Sequence, residues 1–244
     1  MALLSINLDQ VAVLREARKS KEPDPAQAAV LAEMAGADGI SISLRRDRRY
    51  VRDRDLYILR EVVKTRLTIE MPPADELVDR VLEVKPAMVT LVADHADGDT
   101  PVSGIDFRNT PVDFSEPTAR FKGVGIGVCF FVEPDIDAVK GAAKAGADAV
   151  LINCSGFTLA RTGDEAQQEL DRIDRAAQSA SRSGVSVYAS RGITYKNVMP
   201  LHELDLFDEF FVGQAVVARA VLRGMESAVE TMRRLVNTNL PKSR

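Results

Sequence analysis

Ala35-Gly36-Ala37-Asp38-Gly39-Ile40 and Ala145-Gly146-Ala147-Asp148-Ala149-Val150 are two versions of one short passage. In each, a stretch of helical period ends, a glycine able to take the left-handed cap follows, and an apolar run of strand length begins. Both read as turns from a helix into a strand. Convergence of αβ turns on this chemistry and duplication of an ancestral half are both open as origins, and either fixes the register of the strands that follow.

Working outward, apolar runs of strand length alternate with helical stretches along the whole chain, the mark of a parallel sheet. The expected strands are Leu3 to Asp9, Gly39 to Arg45, Leu67 to Met71, Met88 to Ala93, Gly123 to Val132, Ala147 to Ser155, Val185 to Ser190 and Phe207 to Gly213. The helices between them include Pro25 to Met34, Asp53 to Lys64, Ala74 to Val84, Asp135 to Ala145 and Glu165 to Ser183, with one long final helix from about Gln214 to Val236. This order predicts an α/β fold, a single (βα)8 TIM barrel with extra helices, over residues 1–236, followed by a tail at 237–244. An open doubly wound sheet is the alternative and more often has fewer strands. The 244 residues suit one large α/β domain. The segment from Asp94 to Pro117 reads as a long loop after strand four.

Hydrophobic residues make up 45% and charged residues 28%, the mixture of a soluble globular protein. No run approaches a membrane span, and Met1 to Asp9 lacks a basic leader, so a cytoplasmic location without a membrane partner is expected. The formal net charge of −4 argues against a nucleic-acid partner. Cys129 and Cys154 lie within apolar runs and read as buried, unpaired thiols, with neither disulfide nor metal site implied.

In a barrel, residues at the C-terminal ends of the strands face the active site. Here they are polar: Asn7 and Asp9, Ser43 and Arg45, Glu70, Asn153 and Ser155, Ser190 and Arg191. Asn7 with Asp9, and Ser43 with Arg45, are spaced to share one face of a strand. Gly192 follows strand seven, and Gly213-Gln214 precedes the last helix, whose N-terminal N–H groups would hold a phosphate. Of Arg45, Arg46, Arg48, Arg49, Arg52 and Arg54, most would pair with the interleaved Asp47, Asp53 and Asp55; Arg45, nearest the strand, is the expected ligand contact. Glu70, between Ile69 and Met71, is the general acid/base candidate, because apolar neighbours would favour its protonated form; a buried partner for a barrel arginine is the alternative. His95 and His202 stand away from strand ends and read as incidental.

Asn7-Leu8-Asp9-Gln10, Arg18, Pro23-Asp24-Pro25, Leu44-Arg45, Asp53-Arg54-Asp55, Ile69-Glu70-Met71, Gly192-Ile193-Thr194-Tyr195 and Gly213-Gln214-Ala215, in this order, resemble the pyridoxine 5′-phosphate synthase family. The resemblance implies a TIM barrel, assembled as an octamer, that condenses 3-amino-2-oxopropyl phosphate with 1-deoxyxylulose 5-phosphate, releasing phosphate and water without metal or organic cofactor. It assigns Asn7, Arg18, Gly192, Gly213 and Gln214 to the amino-ketone phosphate, and Asp9, Gln10, Arg45, Tyr50 and Thr100 to the deoxyxylulose phosphate. Glu70 matches the catalytic glutamate.

The chain departs from that pattern where the family has histidine: Gln10, Ser43, Tyr50, Arg191 and Gln214 stand there, and Ile152 stands where a glutamate is expected. Ser43 and Arg191 replace groups to which the family assigns proton transfer. The expectation is a barrel that cradles phosphorylated substrates, keeps Glu70, and has a rebuilt relay in which Arg191 stabilises an anion and Ser43 leaves a small vacated volume. Three functions follow: the family reaction by an altered relay, a related condensation by a paralogue, or phosphometabolite binding without chemistry.

Overall fold

In the computed structural model, which describes residues 2–93 and 103–238, the eight runs pair in chain order, all parallel, and the last returns to the first. They are β1 (Leu3–Asn7), β2 (Gly39–Ser43), β3 (Arg66–Met71), β4 (Met88–Leu91), β5 (Gly127–Val132), β6 (Ala149–Asn153), β7 (Ser186–Ser190) and β8 (Glu209–Val212). Closure runs from Leu3 opposite Glu209 to Ile6 opposite Val212, which rules out the open sheet.

The pleat sorts each strand into two faces. Leu4, Ile6, Ile40, Ile42, Ile69, Val89, Val128, Phe130, Val150, Ile152, Phe210 and Val212 belong to the main core beneath the surrounding helices. The alternate residues point into the barrel. From β1 to β4 these are buried polar groups, Ser5, Ser41, Thr68, Glu70 and Thr90. From β5 to β8, Cys129, Phe131, Ala149, Leu151, Tyr188 and Phe211 form a separate apolar cluster. At the floor, Glu209 accepts from Ser5 Oγ at 2.6 Å and pairs with Arg66 at 2.6 Å, joining β8, β1 and β3. Burial pushes the Glu209 carboxyl above its ordinary range, against the pull of Ser5 and Arg66.

The repeated passage has a double function. Gly36 and Gly146 take φ +92° and +90°, and the residues after them bond back to Ala32 and Ala142, closing the same helix-ending motif. The following aspartate then clamps the neighbouring strand: Leu4 N–H donates to Asp38 Oδ2 at 3.0 Å and Val128 N–H to Asp148 Oδ2 at 2.8 Å. Asp208 does the same for Val187 at 2.8 Å without the glycine passage before it.

Around the strands run α1 (Asp9–Ala17), α2 (Pro25–Met34), α3 (Asp53–Val62), α4 (Asp75–Val84), α5 (Ser115–Gly123), α6 (Ile136–Lys144), α7 (Ser155–Thr158), α8 (Gly163–Arg182), α9 (Val198–Glu203), α10 (Gln214–Arg223) and α11 (Met225–Val236). Several differ from expectation. Strand one stops at Asn7 and Asp9 opens α1; strand six stops at Asn153 and Ser155 opens α7. The expected loop after strand four and the start of strand five give way in part to α5. The single final helix is two, broken at Gly224 with φ +84°, a break hidden by helical patterning on both sides. Among the described residues no helix is long and apolar enough to cross a membrane.

Arg15 on α1 is 2% exposed and grips Asp55 on α3 through two bonds of 2.8 and 2.7 Å, while also donating to the Tyr50 carbonyl at 2.9 Å. This pins the segment between β2 and α3 that overhangs the barrel mouth.

Cys129 and Cys154 are free and fully buried, and burial pushes both thiols upward, Cys154 to about 12. Neither should react with a thiol-specific maleimide at pH 8 in the native protein, and both should react after unfolding in denaturant. Rapid native labelling of either would contradict the barrel packing.

Candidate active site

The C-terminal ends of the strands open into a cavity of about 380 Å³. It gathers Asn7, Asp9, Gln10, Ser43, Arg45, Tyr50, Glu70, Arg191, Gly192, Gly213 and Gln214, all expected site residues. Arg18 does not join them. Because α1 begins directly after β1 rather than after a loop, about 13 Å of helix separates Asp9 from Arg18, which caps the far end in an exposed position. Thr100 and His95 lie outside the described residues.

Asp9 organises one wall. Its Oδ1 accepts from Ser43 N–H at 2.7 Å, and its Oδ2 accepts from Ser43 Oγ at 2.5 Å and Asn7 Nδ2 at 3.0 Å. Asn7 Oδ1 in turn accepts from Asp9 N–H at 3.1 Å, so a side chain of β1 steadies the first residue of α1. The expected shared strand face is thus replaced by a strand-to-helix junction that still turns both groups inward. The Ser43 hydroxyl is committed to Asp9 while the residue lines the open cavity.

Glu70 and Arg191 meet across the mouth at 2.5 Å, from the ends of β3 and β7. Of the two readings of Glu70, the partner for a barrel arginine is the one seen, because the pleat turns Ile69 and Met71 outward and leaves Glu70 facing a guanidinium. Arg191 also lies over the Phe131 ring, 4.5 Å from its centroid. Arg191 and Gly192 both have positive φ, 72° and 67°, forming the tight turn after β7. A Cβ at Gly192 would sit 2.0 Å from Thr158 Oγ1, and one at Gly213 2.9 Å from Asn7 Oδ1, so both turns pass too close to their neighbours for a side chain.

Among the six clustered arginines Arg45 alone lines the cavity. Arg48 pairs with Asp53 and Glu76, Arg52 with Glu16, and Arg54 with Asp24. Arg45 reaches Asp47 only at 3.4 Å, stands near the Tyr50 ring, and keeps a buried Nη2 without a protein partner. Opposite, the N-terminus of α10 follows Gly213 and carries no side-chain cap, leaving its first N–H groups for a ligand.

Asn153 and Ser155 stand apart from the cavity: Asn153 donates to Glu133 at 2.9 Å and accepts from Ser155 N–H at the start of α7. The residue that β6 presents to the cavity is Leu151, whereas Ile152 faces the helices. Leu151, Phe211 and Ser41 were missed because the reading sought polar groups at strand ends. Counting back two residues from Asn153, Gly213 and Ser43 finds all three.

A closed parallel barrel whose mouth combines a carboxylate–guanidinium pair, a second arginine and an uncapped helix N-terminus belongs to the barrel enzymes that handle small anionic molecules. The chain is a member of the PdxJ family, whose sequence model, described as pyridoxal phosphate biosynthesis protein PdxJ, matches residues 4–238. It is 42% identical over 236 residues to the pyridoxine 5′-phosphate synthase of Geobacter sulfurreducens, covering 97% of this chain and 99% of that protein. To the pyridoxine 5′-phosphate synthase of a Synechococcus species it is 40% identical over 233 residues, covering 96% and 98%. Solved structures share the fold at low identity: a 4-hydroxy-2-oxoglutarate aldolase (TM-score 0.62, 14% identity, 96% of this chain and 94% of that one). Phosphoribosyl anthranilate isomerase from Thermus thermophilus is another (0.58, 15%, 95% and 100%).

The pairing across the mouth is measurable. Glu70→Gln and Arg191→Met should each destabilise the protein in urea, and the double variant should lose less than the sum, with a coupling of about 0.5 to 3 kcal/mol. Strict additivity would show that the two groups do not meet.

Proposed function

We propose that this chain is a condensing enzyme that makes pyridoxine 5′-phosphate from 3-amino-2-oxopropyl phosphate and 1-deoxyxylulose 5-phosphate. The observation that carries the reading is the gathering, in one barrel-mouth cavity, of Glu70 with two separate anion-binding features, Arg45 and the N-terminus of α10. In this reading the amino-ketone phosphate sits on the backbone of Gly192, Gly213 and Gln214, and the second phosphate meets Arg45 beside Tyr50 and Gln10.

Glu70 is the proton-transfer group, and Arg191 both orients it and stabilises anions formed next to it. Ser43 and Asp9, 2.5 Å apart, supply a hydroxyl–carboxylate pair where the family has imidazole. Asp9 can draw the proton that Ser43 gives or receives, with Asn7 fixing the carboxylate. A cytoplasmic location, a homo-oligomeric assembly and inorganic phosphate as a released product belong to the same proposal.

Purified protein supplied with both substrates should yield pyridoxine 5′-phosphate by chromatography, and its gene should rescue a vitamin B6 auxotroph. Glu70→Gln should lower kcat by about a hundredfold to ten-thousandfold. Ser43→His with Arg191→His together should raise the rate, whereas either alone should not, because groups in one relay are non-additive. Tight binding of both substrates with no product would overturn the proposal in favour of a paralogue with different chemistry.

A further inference from the structure

The barrel lumen is divided along its axis. Its β1–β3 side lines the cavity with Asn7, Ser41, Ser43 and Glu70, and Asp9 joins them from α1. Its β6 and β8 side presents Leu151 and Phe211 to the same cavity, 1% and 8% exposed. Behind that pair the apolar cluster is continuous. Tyr188 packs on Phe211 with ring centroids 5.6 Å apart, and Phe131 belongs to the same group. On β7, between the two, Ser190 is the polar exception at the cavity, and its hydroxyl is buried without a protein partner.

We infer that Leu151 and Phe211 are specificity-determining residues, forming a flat apolar flank against which the ring of a cyclic phosphate ester lies. The inference rests on the proposed phosphate site at α10 for its anchor. Neither side chain can donate or accept a hydrogen bond, so a ligand hydroxyl pressed against them would be buried unpaired, at a real cost. A polyhydroxylated open chain must therefore turn all its hydroxyls toward β1–β3, which constrains it severely. A planar ring meets both demands at once. One face buries C–H and π surface on Leu151 and Phe211, and the ring edge meets the Ser190 hydroxyl. The phosphate remains at the helix N-terminus. For a reaction that closes a ring, such a flank holds the closed species better than the open one, which is the direction in which binding aids the chemistry.

Phenyl phosphate and methyl phosphate separate the flank from the anchor. By calorimetry the wild-type protein should bind phenyl phosphate about tenfold more tightly than methyl phosphate. In Leu151→Asn and, independently, in Phe211→Asn, each checked for a native thermal transition, that ratio should fall toward one. Equal affinities in the wild type would overturn the flank while leaving the phosphate site standing. An unchanged ratio in whichever variant folds would also overturn it, since the ring would then lie elsewhere. Binding of phenol as tightly as phenyl phosphate would keep the flank and remove the phosphate anchor; binding of neither phosphate ester would end both.

Discussion

A closed parallel barrel allows each strand residue only two destinations, the packed layer under the helices or the lumen, and the two-residue pleat assigns them without exception. Everything distinctive about this chain follows from how it fills the lumen set. The helix-facing set is uniformly apolar and builds one core. The lumen set is polar on the first four strands and mainly apolar on the last four, where Glu209 at the floor and Ser190 at the cavity are polar. Because the barrel closes between β8 and β1, those halves face one another, and the cavity inherits both characters.

At the mouth, charge is handled by mutual satisfaction. Asp9 has its oxygens occupied by Ser43 and Asn7, and Glu70 is met by Arg191, so neither carboxylate stands alone against the apolar flank. The Arg191 guanidinium faces two ways, to the Glu70 carboxylate and to the Phe131 ring. It thus bridges the polar and apolar halves, and it does so from a left-handed backbone conformation that is unusual for an arginine.

Most of the fold was legible because it rests on periodicity. Eight strands, their order and the glycine passages at Gly36 and Gly146 were visible in the chain alone. What failed were junctions where one residue serves two elements. Asp9 has the look of a strand terminus but starts a helix, because Asn7 supplies a local hydrogen bond that ends the strand early. Gly224 lies inside an unbroken helical pattern and only its positive φ betrays the turn. In the site, polar residues were found because they are conspicuous, and Leu151 and Phe211 were overlooked because an apolar side chain carries no label distinguishing lumen from core. The Glu70–Arg191 contact joins residues 121 positions apart, and no local pattern records it.

The aspartate clamps have a consequence for how such a protein can change. Asp38, Asp148 and Asp208 stand where strands begin, and with Glu209, Ser5 and Arg66 they form a tier of cross-strand polar locks at the end remote from the mouth. Part of the barrel's cohesion is thereby drawn from residues at the opposite end of the strands from the chemistry of its mouth. Side chains around the cavity can be exchanged while the lower tier holds the strands in register. Such a scaffold is evolvable in a literal mechanical sense: its foundations bear little of the load imposed by experiments at its rim.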